Sequence, residues 1–259
     1  MQDEFVINNQ IINQENLIPL LANYGMMPIL IRETIIERAI ENIDCQEEEI
    51  LMGLKHFFQR SGITNRTEHE VWLQHYKMTQ AQLDKMVTRR LKIKKFQQQM
   101  WGHKLESYFL ERKKQLDKVI YSMIRTDDEG IARELYFRIQ AGEENFAELA
   151  CNYSQGAETN TNGIVGPVEL GTLNPIFANQ LAVSQPGKVW EPIKFGESFL
   201  IIRVEKFISV KLDPFTRQRL INELFEGWLN EQINQLSDID KSWFILNRQV
   251  AEYKQLNAA

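Results

Sequence analysis

Cysteine is scarce in this chain: two occur in 259 residues, Cys45 and Cys151, far apart and in no metal-ligand spacing. That removes a cysteine-held metal and any need for an oxidising compartment. Cys151 follows the apolar run FAELA, where a buried free thiol is expected. Long apolar runs are missing as well. None approaches the ~20 residues a membrane helix needs, so no membrane insertion is expected. The opening stretch MQDEFVINNQIINQENLIPLL is acidic and rich in Asn and Gln. It has neither the basic start nor the unbroken apolar stretch of a signal peptide, and the expectation is a cytoplasmic protein. Positive charge is not in excess either: a net charge of −5 and a pI near 5.6 argue against a general nucleic-acid binder. Histidine is confined to His56, His69, His75 and His103, with His69 and His75 six apart, which does not align them on one helical face as ligands. They read as structural residues, and no metal or other cofactor is expected.

What is present is an ordinary globular composition, 43% hydrophobic and 25% charged, long enough for one large domain or two smaller ones. Residues 1–115 read as helix. LIPLLANYGMMPILIRETIIERAIENI sets Ile31, Ile35 and Ala39 at helical spacing, with Pro28 near the start of that turn. TEHEVWLQHY and TQAQLDKMVTRRLKIKKFQQQMW continue the pattern, the second opened by a Thr79–Gln82 capping box. GITN, from Gly62 to Asn65, is a connector. The basic cluster Arg89, Arg90, Lys92, Lys94 and Lys95 is scattered around a helix beside Leu91, Ile93 and Phe96. It reads first as a solvated face and second as a docking site for an acidic partner.

The pattern changes at Lys118. KVIYSMI is a short strand by its β-branched and apolar content. Thr126 and Glu129 have the T-x-x-E spacing of a capping box, opening a helix with Ile131, Leu135 and Ile139 on one face. FAELACNYS is a second short helix. Next comes a polar stretch whose Gly163, Gly166 and Gly171 permit tight turns. IFANQLAVSQPGKVW holds a third short helix, and FLIIRVEKF is a strand apolar enough to be central in a sheet. Asp213 as N-cap and Pro214 at the first helical position start a long amphipathic helix with Leu220, Leu224 and Trp228 at i, i+4, i+8. Such a helix must dock, and the N-terminal helices are the expected partner. No internal repeat or low-complexity linker is seen.

ELYFRIQAGEENFAELACNYSQG resembles the parvulin family of peptidyl-prolyl isomerases, whose second-helix signature reads approximately AGE-x-FAELA-x-x-YS. GIVGPVELGTLNPIF is similar to that family's GG-x-LG…G-x-M-x-x-x-F stretch. SQPGKVWEPIKFGESFLIIRVEKF is similar to its L-x-PGE-x-S-x-P…FGYHIIKVE ending. The resemblance covers about residues 116–208. The flanking helices look like those of multi-domain bacterial chaperone-isomerases. The implied fold is α+β: a central parvulin-like domain over 116–210, a small antiparallel sheet with surrounding helices. An all-helical module is implied around it, built from the N-terminal region 1–115 and the C-terminal segment 211–259.

The resemblance also implies a site. Family members build an apolar proline cup, whose first three positions fall here on Leu173, Asn174 and Phe177, with Leu181 or Ala182 as the next wall. The alternative is that Leu173 and Phe177 are plain core, since apolar residues four apart on a helix usually are. The family's first-strand histidine maps to Ser122, or to Tyr121 if the register slips by one, so both are candidate catalytic residues. Its last-strand histidine maps to Leu200. The family's Cys or Asp after the second-helix YS falls on Gln155 or Gly156, and the segment contains no histidine.

Two functions are therefore implied. One is a parvulin-type isomerase acting as a foldase on proline-containing polypeptides, weakened by loss of both histidines. The other is a non-catalytic chaperone or adaptor for unfolded or secretion-bound clients. Expected partners are unfolded or extended proline-containing polypeptides and a secretion system or its substrate, with no nucleic acid. Arg125 is followed by Asp127, Asp128 and Glu129, which would repel phosphate, so a phosphate-directed preference is not expected.

Overall fold

The computed structural model describes residues 5–7 and 10–245; the end of the expected C-terminal helical segment, from 246 on, lies outside them. Two short strands come first, β1 (Phe5–Ile7) and β2 (Gln10–Ile12), paired antiparallel. The expected all-helical N-terminal region is corrected there: helix begins only at Gln14. It continues as α1 (Gln14–Asn23), α2 (Met27–Ile40), α3 (Glu47–Ser61), α4 (Arg66–His75), α5 (Gln80–Trp101) and α6 (Leu105–Leu116). Then follow β3 (Lys118–Thr126), α7 (Glu129–Ala141), α8 (Phe146–Tyr153), β4 (Ile164–Glu169), α9 (Pro175–Ala182), β5 (Ile193–Phe195), β6 (Ser198–Ile208) and α10 (Pro214–Asn234).

The chain divides into two compact units, one of residues up to His103 together with those from Gln218 on, the other Lys104–Arg217. In the first unit, α5 starts as its sequence asks. Thr79 Oγ1 accepts from the Gln82 amide at 3.3 Å, while Gln82 Oε1 accepts from the Thr79 amide at 2.8 Å. Asn65 caps α4 after the αL glycine Gly62, so GITN is the connector expected. The core of this unit joins Ile36, Ile40 and Ile43 to Phe96 and Trp101 of α5 and Phe225 and Leu229 of α10. Full burial of an aliphatic side chain such as Ile40 or Leu229 contributes about 1.5–3 kcal/mol. An aromatic ladder ties α4 to α3, with the Phe57 and Trp72 rings 5.0 Å apart and those of Phe58 and His69 4.9 Å apart.

The second unit is an antiparallel sheet in the order β4-β3-β6-β5, with FLIIRVEKF in a central strand. Helices α7 and α8 cover one face through Leu135, Phe146, Leu149 and Ala150, packed on Ile124 and Ile201. The other face carries Tyr121, Met123, Leu200, Ile202 and Val204, against Phe177 and Leu181 of α9. Two local expectations are corrected. The N-cap of α7 is Asp128, whose Oδ1 accepts from the Ile131 amide at 2.9 Å, and Glu129 is the first helical residue. Thr126 Oγ1 instead accepts from the Asp128 amide at 3.2 Å, a turn leading into the cap. Cys151 is exposed, because Phe146, Leu149 and Ala150 already fill the inward stripe of α8.

Candidate functional site

The site is decided by the alternation of β3. Successive side chains of a strand point to opposite faces, so Tyr121 shares the α9 face with Val119 and Met123. Ser122 goes the other way. Its Oγ donates to Glu205 Oε1 at 2.6 Å, and the same carboxylate oxygen accepts from Arg203 Nε at 2.8 Å. Arg203, which pairs with Ser122 in register, lies with its guanidinium 4.9 Å over the Phe146 ring of α8. Ser122 thus belongs to a polar group on the far side of the sheet from Phe177. The register also shifts between Ile120 and Tyr121, from partner Lys206 to partner Val204, leaving Glu205 as the extra residue of a bulge.

On the α9 face, Phe177 is the hub of an aromatic cluster. Its ring centroid lies 5.6 Å from Tyr121, 6.1 Å from Trp190 and 5.9 Å from Phe195, with the first two contacts edge-to-face. Leu200 and Leu181 close the cluster from below, and Leu181 is fully buried. Phe195, at 46% exposed, forms the open edge. Trp190 is fixed twice: its amide donates to the Ile202 carbonyl at 2.8 Å, and its indole Nε1 donates to Ser184 Oγ at 2.8 Å. Leu173 packs half-buried against the same cluster. Asn174 does not join it, because its Oδ1 is occupied in capping α9, accepting from the Ile176 amide at 3.0 Å ahead of Pro175.

A carboxylate that the sequence pattern does not single out stands beside Tyr121. Glu158, only 6% exposed, accepts from Ser154 Oγ at 2.6 Å and lies 3.8 Å from Arg125 Nε. The loop carrying it is stitched to the end of β3: the Arg125 amide donates to Ser154 Oγ at 3.0 Å, and the Asp127 amide to Gln155 Oε1 at 2.9 Å. Gly156 leaves room for the carboxylate, since a Cβ there would sit 2.2 Å from Glu158 Oε2. Burial, and secondly the charge of Glu158, push the Tyr121 phenol above its ordinary 10.0, while Arg125 pulls it the other way. The result is a phenol that stays protonated throughout the neutral range, its ring part of the Phe177 cluster. The signal that could have found Glu158 is a lone acid in a loop of Gly, Thr and Asn directly after the second helix.

A sequence profile of the PPIC-type PPIase domain matches residues 114–206, the span that holds both β3 and the Phe177 cluster. These residues belong to the rotamase family. Over a longer span that takes in this domain, the chain is 27% identical over 239 residues to the foldase protein PrsA of Halalkalibacterium halodurans, spanning 84% of this chain and 69% of that protein. Among solved structures, the peptidylprolyl isomerase PrsA of Bacillus cereus is 18% identical, with a TM-score of 0.44 over 94% of this chain and 91% of that one. The parvulin domain of PpiD from E. coli is 25% identical, with a TM-score of 0.33 over 37% of this chain and 92% of that one.

Proposed function

We propose that this chain is a prolyl isomerase of modest activity that works as a foldase on proline-containing polypeptides, with Tyr121 as the polar group of its cup. The observation that carries this reading is the Tyr121–Phe177 contact, which sets the one phenol of the cluster edge-to-face against the Phe177 ring that Trp190 and Phe195 also touch. Rotation of an X–Pro bond breaks no covalent bond and must cross a barrier of about 20 kcal/mol, where amide resonance is lost. An apolar cup removes the water that favours the planar, dipolar amide. As resonance fades, the prolyl nitrogen regains its lone pair. A hydroxyl donating to it binds the twisted state better than either planar one, the condition for catalysis. Ser122 has no part in this reading, and Asn174 serves to start the helix that presents Phe177.

The test is exchange NMR on a panel of short X–Pro peptides. Phe177→Ala is expected to abolish acceleration. Tyr121→Phe is expected to lower kcat/KM roughly 3- to 10-fold, the rate equivalent of one net hydrogen bond. Acceleration that survives Phe177→Ala would remove the Phe177 cup, and none in the parent chain would remove the isomerase reading. The absence of histidine from residues 114–206 favours a second reading, a client-holding domain without catalysis. It predicts proline-peptide binding, competed through Phe177, with no rate effect.

A further inference from the structure

The basic run of α5 does not act as one patch. Arg89 is paired with Glu33 and, at 3.4 Å, with Glu37. Lys95 is paired with Glu49 at 2.5 Å and donates to the Asp44 carbonyl at 3.0 Å. Arg90 and Lys94, one turn apart, line a groove between α3 and α5 instead, and Arg60 of α3 joins them. None of these three cations has a hydrogen-bond or ion-pair partner among the described residues. The acid on the groove's lining is Glu49, and Lys95 already neutralises it.

Between the cations the groove is apolar and about 810 Å³ in volume. Met52 and Met86, 68% and 42% exposed, line it together with Phe57, Val87 and Leu91. Gly53 lets the helices approach at its floor, where a Cβ would lie 3.1 Å from Val87 Cγ2. Helix α3 buries no residue fully, so an apolar surface is left uncovered beside charge of one sign. Methionine side chains repack around differing partners. The basic island stands out on a chain of net charge −5, which makes it selective for acidic ligands rather than part of a general field.

We propose that the α3–α5 groove takes an acidic, apolar polypeptide segment, with aliphatic or aromatic side chains on Met52 and Met86 and carboxylates on Arg60, Arg90 and Lys94. It rests on the reading of this chain as one that handles client polypeptides, and it gives the helical unit a sequence preference independent of proline. The test is fluorescence anisotropy on the full chain with short labelled peptides that share one apolar centre and carry either Asp/Glu or Lys/Arg flanks. The acidic peptide is expected to bind, to weaken with added salt, and to lose roughly tenfold or more in affinity in Arg90→Glu/Lys94→Glu and in Arg60→Glu. Prolyl isomerisation and the circular dichroism spectrum should not change, since glutamate suits exposed helix positions. Equal binding of the basic peptide, or indifference to charge reversal, overturns the inference. If the acidic peptide fails to bind while the chain still suppresses aggregation of a denatured protein, this inference falls and the client reading stands. If charge reversal instead dissolves a dimer seen by light scattering, the groove is a self-association face and the inference also falls.

Discussion

At the scale of single residues, the two neighbours on β3 have separate fates. Ser122 is buried in a hydrogen bond to Glu205, and Tyr121 is buried against Phe177. Ser122→Ala should therefore leave isomerisation unchanged and cost about 1 kcal/mol in urea unfolding, because Glu205 loses one of its donors. A fall in kcat/KM with Ser122→Ala would return the serine to the site. The Tyr121 phenol also sets a pH signature. Its ordinary value is 10.0 and its folded value is higher, so the stability it contributes is complete below pH 10.0 and is lost as pH rises through the folded value. Above pH 10.0 the unfolded chain ionises first. Urea midpoints of the parent chain should fall more steeply in this alkaline range than those of Tyr121→Phe. With no histidine in the domain, kcat/KM should be flat from about pH 6 to 9, where a histidine-bearing cup would titrate.

At the scale of elements, the cap of α7 offers a direct comparison. Asp128→Ala removes the acceptor of the Ile131 amide and should cost about 1 kcal/mol. Glu129→Gln should cost less than ~0.5 kcal/mol, whereas a Thr126–Glu129 box would make the glutamate matter. Thermal unfolding of the two variants decides it. The helices and the two central strands of the rotamase domain were legible in the sequence because its separated motifs recur in the right order. The outer strands were not: β4 lies in a stretch that reads only as tight turns, and β5 has three residues. Phe177 and Leu200 are placed by the resemblance to the family's motifs, which leaves the next wall open between Leu181 and Ala182. The Tyr121–Ser122 register could not be placed. VIYSMI is apolar toward both faces and lacks the alternation that reveals a half-exposed strand, and the bulge at Glu205 shifts the ladder within it. Glu158 was hidden for another reason: its role comes from a loop folding back on β3, which no local period records. The hairpin of β1 and β2 has three residues a side, too few to show a period of two. Asn174 before Pro175 did carry a readable cap signal, which the cup motif overshadowed.

At the scale of the molecule, chain order and folding unit do not coincide. Helix α10 lies after the rotamase domain in sequence, yet its Phe225 and Leu229 complete a core with Ile36, Ile40, Phe96 and Trp101 from the other end. The segment Lys104–Arg217 has its own two apolar clusters, one on each face of its sheet. A fragment of those residues should unfold cooperatively and keep the isomerisation of the parent chain within about threefold, as expected for a domain with its own core. Leu229→Ala in the full chain should cost about 2–5 kcal/mol, the range for a buried leucine. That loss should appear as early melting of α2, α5 and α10 in hydrogen exchange, with the amides of β3 and β6 still protected. Simultaneous loss of protection in both regions would mean that the two units fold as one cooperative body. Any chaperone work of the helical unit could then not be tuned without altering the cup. Separate melting would mean that the proposed client groove of α3–α5 and the proposed cup at Phe177 can vary independently. That independence would let the proposed cup do without histidine, on Tyr121, while the helical unit is left unaltered.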